Sequence, residues 1–258
     1  MRAGELSDYW DDVVRRFLEG DTNAPDALLG WRGSYQGGGD GAVDDDAMPE
    51  PFLGSLLPDV ASAVFLALNP GRVHPGFQSR EGVFADEIRG YGDSYTAWAS
   101  SWPYLRDPWV AANGGNRHHK TRLAFLRTWT GVVDLGASAM VSFELFPWHS
   151  ARVTSALAPH PGVIDEYVWE PIADLRSPVV FAFGAPWFAL LPGLDVEVLE
   201  ILGAGGQPYG SKVASRSVLV GRSGSGTLII AEKHSGSAGP PSATEALILQ
   251  DAISRHIT

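Results

Sequence analysis

Four apolar runs of strand length, separated by segments with helical patterning, restrict most strongly what this chain can fold into. The runs cover residues 63–68, 139–145, 178–183 and 227–232, with cores such as Ala63-Val64-Phe65-Leu66-Ala67 and Thr227-Leu228-Ile229-Ile230-Ala231. Helical patterns occupy 120–131, 165–176, 185–191 and 242–256, with Asp165 and Ser242 as expected N-caps. Strands alternating with helices argue for a parallel sheet covered on both faces. The expected fold class is α/β: a three-layer α/β/α arrangement with a central four-stranded, mainly parallel sheet. Val196–Leu202 and Ser217–Val220 read as an added hairpin or edge ribbon. Gly205–Lys212 has neither a Lys directly after its Gly nor a following helix, so it reads as a hairpin loop and not as a phosphate loop.

Ahead of the first run the pattern changes. Leu6, Tyr9, Trp10, Val13, Val14 and Phe17 fall at helical spacing, so a helix is expected over residues 5–19. A loop-rich stretch follows to residue 58, including Asp44-Asp45-Asp46, read as a solvated loop. Residues 1–58 are thus expected to form an acidic helix-and-loop extension to an α/β core over 59–258, all in one domain. The net charge of −11 is concentrated there: residues 1–60 hold 13 acidic and 4 basic side chains, and the rest hold 17 and 15. The bulk of the chain is therefore close to neutral and has room for a local basic face. With no Cys, disulfides, thiolate metal sites and iron–sulfur clusters are excluded. No run approaches the ~18 apolar residues of a membrane span, and no signal-peptide pattern is present. A cytoplasmic monomer without membrane contact, metal or cofactor is expected.

In an open parallel sheet, ligands sit outside the carboxyl ends of the strands. The residues at those ends are therefore the candidates for chemistry. The first run leads into Asn69-Pro70-Gly71, the second into Glu144-Leu145-Phe146-Pro147-Trp148-His149-Ser150, the third into Gly184-Ala185-Pro186, and the fourth into His234-Ser235-Gly236-Ser237. One Asn, one Glu and two His would converge on one rim. Taken singly, Asn69 reads as a turn residue and His234 as a structural histidine. Glu144 stands apart, because a carboxylate in so apolar a run is costly to bury unpaired.

The order of these motifs resembles the uracil-DNA glycosylase superfamily, most closely its mismatch-specific and single-strand-selective branches. The likeness spans roughly residues 60–256. The first family motif, Gly-x-Asn-Pro-Gly, corresponds to Ala67-Leu68-Asn69-Pro70-Gly71, with Ala in place of Gly. The second begins at a His and corresponds to His234-Ser235-Gly236-Ser237. The family also holds an aromatic that stacks on the extruded base, for which Phe84 is the match and Phe77 the second choice. Glu144 stands where the family has a base-reading Asn. A bulky wedge after the His motif is missing from Ala238-Gly239-Pro240-Pro241.

The resemblance implies a monofunctional DNA glycosylase that flips a base out of DNA and hydrolyses its N-glycosidic bond. Asn69 would position the attacking water, and His234 would donate to the departing base. Ser235 and Ser237 would grip a flanking phosphate. Pro70, Gly71 and His149 belong to the implied substrate-binding set. Arg117, His118, His119, Lys120 and Arg122 form the densest basic patch, expected to follow the DNA backbone. An ionised Glu144 only accepts hydrogen bonds, so it favours a base edge with an amino group, such as a modified cytosine of phage DNA in a defence role. A protonated Glu144 donates and restores uracil-like reading, as in a uracil or mismatch repair enzyme. Two further readings stay open at this point: a non-catalytic binding module of the same fold, and a hydrolase of free nucleosides.

Overall fold

A computed structural model describes residues 1–21, 25–153, 156–203, 216–234 and 239–257. Nine strands are found among them: β1 (Val43–Asp44), β2 (Phe52–Leu53), β3 (Ala63–Ala67), β4 (Met140–Glu144), β5 (His149–Ser150), β6 (Val179–Phe183), β7 (Val196–Leu202), β8 (Arg216–Ser223) and β9 (Leu228–His234). Seven of them form one mixed sheet in the order β2-β4-β3-β6-β9-β8-β7. The four expected strands stand side by side at its centre, β4-β3-β6-β9, and all run parallel. The sheet is larger than the four strands expected. Antiparallel β2 extends one edge, and the β8–β7 hairpin extends the other. β2 is only two residues long, too short to carry a periodic signal.

β3, β4 and β6 are buried along their whole length and β9 over Leu228–Glu232, as expected for strands covered on both faces. Side-chain parity sorts the layers. Phe65, Phe181 and Phe183 face the Arg117–Thr130 helix and meet Phe125 at ring-centroid distances of 6.2, 4.8 and 5.9 Å. Val180 and Ile229, of opposite parity, face Trp169 and Ile172 of the 161–175 segment.

Several boundaries differ from expectation for local reasons. The helix expected over 120–131 starts earlier, at Arg117, because Asn116 caps it: its side-chain oxygen accepts from the backbone N–H groups of His118 and His119. It ends at Gly131, in the left-handed region at φ +71°. The helix expected from Asp165 begins at Pro161 instead, capped by His160, and passes through a π-helical turn at Asp165–Trp169. Asp165 is therefore inside the helical segment and caps nothing. Ser242 does cap the Ala243–Ala252 helix, with Glu245 closing a capping box. Residues 204–215, which include the Gly205–Lys212 loop, lie outside the described residues.

Residues 1–58 pack into the same core. The N-terminal helix spans Ala3–Leu18 and buries Leu6, Trp10 and Val14 completely. A second helix, Asp26–Gly33, carries the buried Trp31, whose Nε1 donates to the Leu145 carbonyl at 2.9 Å. No helix among the described residues is long and apolar enough to cross a membrane.

Candidate active site

The tails of β3 and β4 leave the sheet side by side. Their ladder continues past the strands: Leu145 N donates to the Ala67 carbonyl and Phe146 N to the Leu68 carbonyl, both at 3.0 Å. The register pairs Ala67 with Glu144, so Asn69 and Glu144 emerge at one end of two adjacent strands. Between them opens a pocket of about 350 Å³. Asn69, Pro70, Gly71, Glu144, His118 and His119 line it, as do Glu50, Tyr104 and Asn116. Its volume is in the range that takes a small organic ligand.

Two larger grooves lie elsewhere. One of about 910 Å³ runs along the N-terminal helix, and one of about 660 Å³ opens at the starts of β3, β6 and β9. Neither is walled by a buried polar atom without a partner among the described residues, whereas the 350 Å³ pocket has two, Glu144 Oε2 and His119 Nδ1. Buried polar groups are almost always hydrogen-bonded. Orphans on residues that line a cavity point to a place where a ligand or water could complete the bonding.

Asn69 is held by its amide nitrogen. Nδ2 donates to the Ser150 carbonyl at 2.9 Å and to Ser150 Oγ at 3.2 Å. The carboxamide oxygen is left to accept from the pocket. Two residues on, Gly71 adopts φ +91°, a conformation that disfavours side chains. Its carbonyl meets His149 Nδ1 at 3.2 Å. The Asn69–Gly71 loop is therefore tied at two points to β5, which pairs with β1. His149 is fully buried behind the pocket, and its Nε2 meets Glu50 Oε1 at 3.1 Å. Its part in the site is to support the loop and Glu50.

Glu144 is 6% exposed, and its Oε2 is buried without a partner among the described residues. Burial drives its pKa up to about 8, Arg122 opposes the rise, and Glu50 adds to it. Glu144 is thus mostly a neutral acid at pH 7, with one O–H to donate and one oxygen to accept. The ionised, accept-only Glu144 of the sequence reading does not describe the site at neutral pH.

The basic patch divides in two. Arg117, His118 and Lys120 are exposed at the pocket rim and its margin, and Lys120 Nζ donates to the Gly114 carbonyl at 2.9 Å. Arg122 and His119 are buried, so neither is available to a DNA backbone. Helical spacing turns Arg122 inward, where Nη1 donates to Ser142 Oγ at 2.7 Å and the guanidinium lies 5.9 Å from the Phe65 ring. Burial lowers its pKa to about 10, so it stays charged at neutral pH behind Glu144. His119 is pushed down to about 3 by burial and by Arg122, which keeps it a neutral imidazole on the pocket wall.

The aromatic expected to stack on a base is elsewhere. Phe84 is completely buried, stacked on Trp109 at 5.7 Å and flanked by Trp98, Tyr104 and Phe77 at 5.0–5.2 Å. Its faces are taken up by core packing. Phe77 is half-buried against Phe84 and Trp109 and is not on the pocket wall either. The aromatic that does reach the pocket is Tyr104.

His234 ends β9 and is separated from β3 by β6. It is not on the wall of the pocket, and its Nδ1 is buried without a partner among the described residues. Ser235 and Ser237, the rest of the second motif, lie outside the described residues.

Glu50 and Tyr104 were not singled out in the sequence. Glu50 is 3% exposed, and its Oε1 accepts from Tyr104 Oη at 2.5 Å and from Gln78 Nε2 at 3.4 Å. Gln78 Nε2 also contacts Tyr104 Oη at 2.5 Å. Among the described residues, no cluster of three or more His, Asp or Glu side chains is placed to hold a metal ion. Comparison with protein-family models and with curated proteins finds no match to the chain.

Proposed function

We propose that the protein is a DNA N-glycosylase that takes an extruded pyrimidine into the 350 Å³ pocket and hydrolyses its glycosidic bond. The observation that carries this reading is the pair at the pocket mouth. Asn69 has its amide nitrogen bound to Ser150 and its oxygen available, and beside it stands a buried, largely neutral Glu144 whose Oε2 has no partner among the described residues.

The chemistry follows from those two groups. Cleaving the C1′–N bond develops positive charge on the sugar and negative charge on the base. The Asn69 oxygen accepts from a water and points a lone pair of that water at C1′. Glu144 donates its O–H to the base edge and supports the departing base. A neutral carboxyl matches two pyrimidine edges: it donates to O4 and accepts from N3–H of a uracil-like base, or donates to N3 and accepts from the amino group of a cytosine-like one. Uracil and modified cytosine are therefore both substrates in this reading at neutral pH, and a defence role against modified phage DNA attaches to the second.

β3 and β9 lie two strand spacings apart, about 10 Å. That is the scale of one nucleotide, so His234 meets the same nucleotide from the far side of β6. Exposed Arg117, His118 and Lys120 are on hand for flanking phosphates.

The test is a substrate panel. Duplex and single-stranded oligonucleotides carrying one uracil, cytosine, hydroxymethylcytosine or glucosylated cytosine are incubated with the protein, and abasic sites are counted. Release of at least one pyrimidine is expected. No release from any oligonucleotide overturns the proposal, and release from free nucleosides alone replaces it with a nucleoside hydrolase.

A further inference from the structure

Glu50 is placed for chemistry that the motif at Asn69 does not supply. It is contributed by the acidic N-terminal stretch, just before β2, and is buried on the wall of the pocket that Asn69 and Glu144 share. Three side chains converge on one of its two oxygens. Oε1 takes Tyr104 Oη at 2.5 Å, His149 Nε2 at 3.1 Å and Gln78 Nε2 at 3.4 Å. Oε2 takes none of these bonds. Tyr104 and Gln78 donate to Oε1 and His149 Nε2 sits against it, so the carboxyl is held in a fixed rotamer. His149 also holds the Gly71 carbonyl, so one imidazole sets Glu50 against the loop that carries Asn69.

The two buried carboxyls of this pocket are provided for in opposite ways. Glu50 Oε1 has hydrogen-bond partners, while Glu144 Oε2 has none among the described residues and Arg122 is the opposing charge on Glu144. Two carboxyls in one site, one held by hydrogen bonds and one without them, offer places for separate acid and base roles.

Resting on the glycosylase reading above, we infer that Glu50 is the catalytic base of the reaction, taking the proton from the water that Asn69 orients. The water O–H bond breaks as its proton moves to Glu50 Oε2. The water oxygen bonds to C1′, and the C1′–N bond breaks with its electron pair going to the base. The base leaves hydrogen-bonded to Glu144 and recovers one proton, returned from Glu50 through solvent. One water is consumed and nothing is oxidised or reduced. Tyr104, Gln78 and His149 are positioning residues that act through Glu50.

The test uses the full chain and the oligonucleotide that the wild-type protein cleaves best in the panel. Single-turnover release and binding of the same oligonucleotide are measured for Glu50→Gln, and release by Glu50→Ala is measured with and without added formate. Glu50→Gln is expected to lose about 10²–10⁴-fold in rate, with the Kd changed less than threefold. Formate is expected to restore Glu50→Ala at least tenfold, which a packing role would not allow. If circular dichroism shows Glu50→Ala unfolded, Glu50→Asp takes its place and is expected to exceed Glu50→Gln at least tenfold. A Glu50→Gln rate within threefold of wild type overturns the inference and leaves the glycosylase reading standing. So does a loss that neither formate nor Asp reverses. A wild-type protein that cleaves nothing in the panel overturns both.

Discussion

Asn69 donates its side-chain amide to Ser150 twice, at 2.9 Å to the carbonyl and 3.2 Å to the hydroxyl. This contact fixes which end of the amide faces the pocket. Asn69→Ala removes the water-orienting oxygen and is expected to lower base release by at least a hundredfold while DNA binding is kept. Asn69→Asp is expected to fare no better. It sets a carboxylate oxygen against the Ser150 carbonyl, leaves that carbonyl without its donor, and costs about 1–3 kcal/mol of stability. Ser150→Ala keeps the carbonyl and is expected to stay within a few-fold of wild type. Single-turnover release and thermal melts of the three variants check this.

The raised pKa of Glu144 makes base choice depend on pH. Below about 8 the neutral acid donates to O4 of a uracil-like base, and above it the carboxylate repels O4 while still accepting from an amino group. Release of uracil relative to a cytosine-type base is expected to fall as pH rises from 7 to 9. Glu144→Gln keeps a donor and an acceptor at every pH and is expected to abolish that dependence. Rates on both substrates across this range decide the matter.

The same proton affects stability, with a definite sign. The folded chain holds it up to about pH 8, whereas the unfolded chain releases it near the ordinary value of 4.5. Between these values the unfolded state binds fewer protons, so stability falls as pH rises, by on the order of a few kcal/mol in total. Buried Glu232, raised to about 7, contributes in the same direction in wild type and variant alike. Urea titrations at pH 5 and 8 are expected to show a smaller loss for Glu144→Gln than for wild type, and the difference isolates Glu144.

The central strands and the strand-end residues Asn69 and Glu144 were legible because a buried strand is an apolar run, and a polar residue ending it interrupts that run. Glu50 and Tyr104 gave no such signal. Glu50 comes from a loop-rich acidic stretch where one more carboxylate looks like solvated charge, and only its bonds to residues 28, 54 and 99 positions away give it a role. Phe84 comes from the resemblance alone, which carries a position without its packing. Helices of four to eight residues at Pro75–Gln78, Val83–Gly90, Tyr95–Ser100 and Trp109–Asn113 are too short to show a period. No period therefore marks Phe84 as core, although these helices pack their rings against one another. Arg122 shows the limit of reading charge density: five basic-type residues in six positions of a helix start cannot all face solvent at 3.6 residues per turn.

Phe84 and Tyr104 have ring centroids 5.1 Å apart yet are expected to fail differently when altered. Phe84→Ala opens a cavity among Trp98, Trp109 and Tyr104 and is expected to cost about 3–5 kcal/mol, with catalysis lost only as the fold is lost. Tyr104→Phe keeps the ring and removes one donor from Glu50. It is expected to cost about 1 kcal/mol of stability and to lower single-turnover release about tenfold, the loss of one hydrogen bond of about 1–1.5 kcal/mol. Denaturant midpoints and rates measured on the same preparations separate the two.

The divided basic patch makes a prediction about salt. Arg117 and Lys120 are exposed, so replacing either with Ala is expected to weaken DNA binding uniformly across sequences and to reduce the slope of log affinity against log salt by about 1. Arg122 is buried on Ser142, so Arg122→Met, which keeps most of the side-chain volume, is expected to leave that slope unchanged. Its effect appears at the active site instead. Arg122 is the charge that holds the Glu144 pKa down against burial. Without it Glu144 keeps its proton to higher pH, and the alkaline loss of uracil release is expected to move upward from about 8. Binding isotherms at several salt concentrations, together with the pH–rate profile of Arg122→Met, test both halves. A salt slope that falls by one unit in Arg122→Met would put the guanidinium on the DNA and contradict its burial.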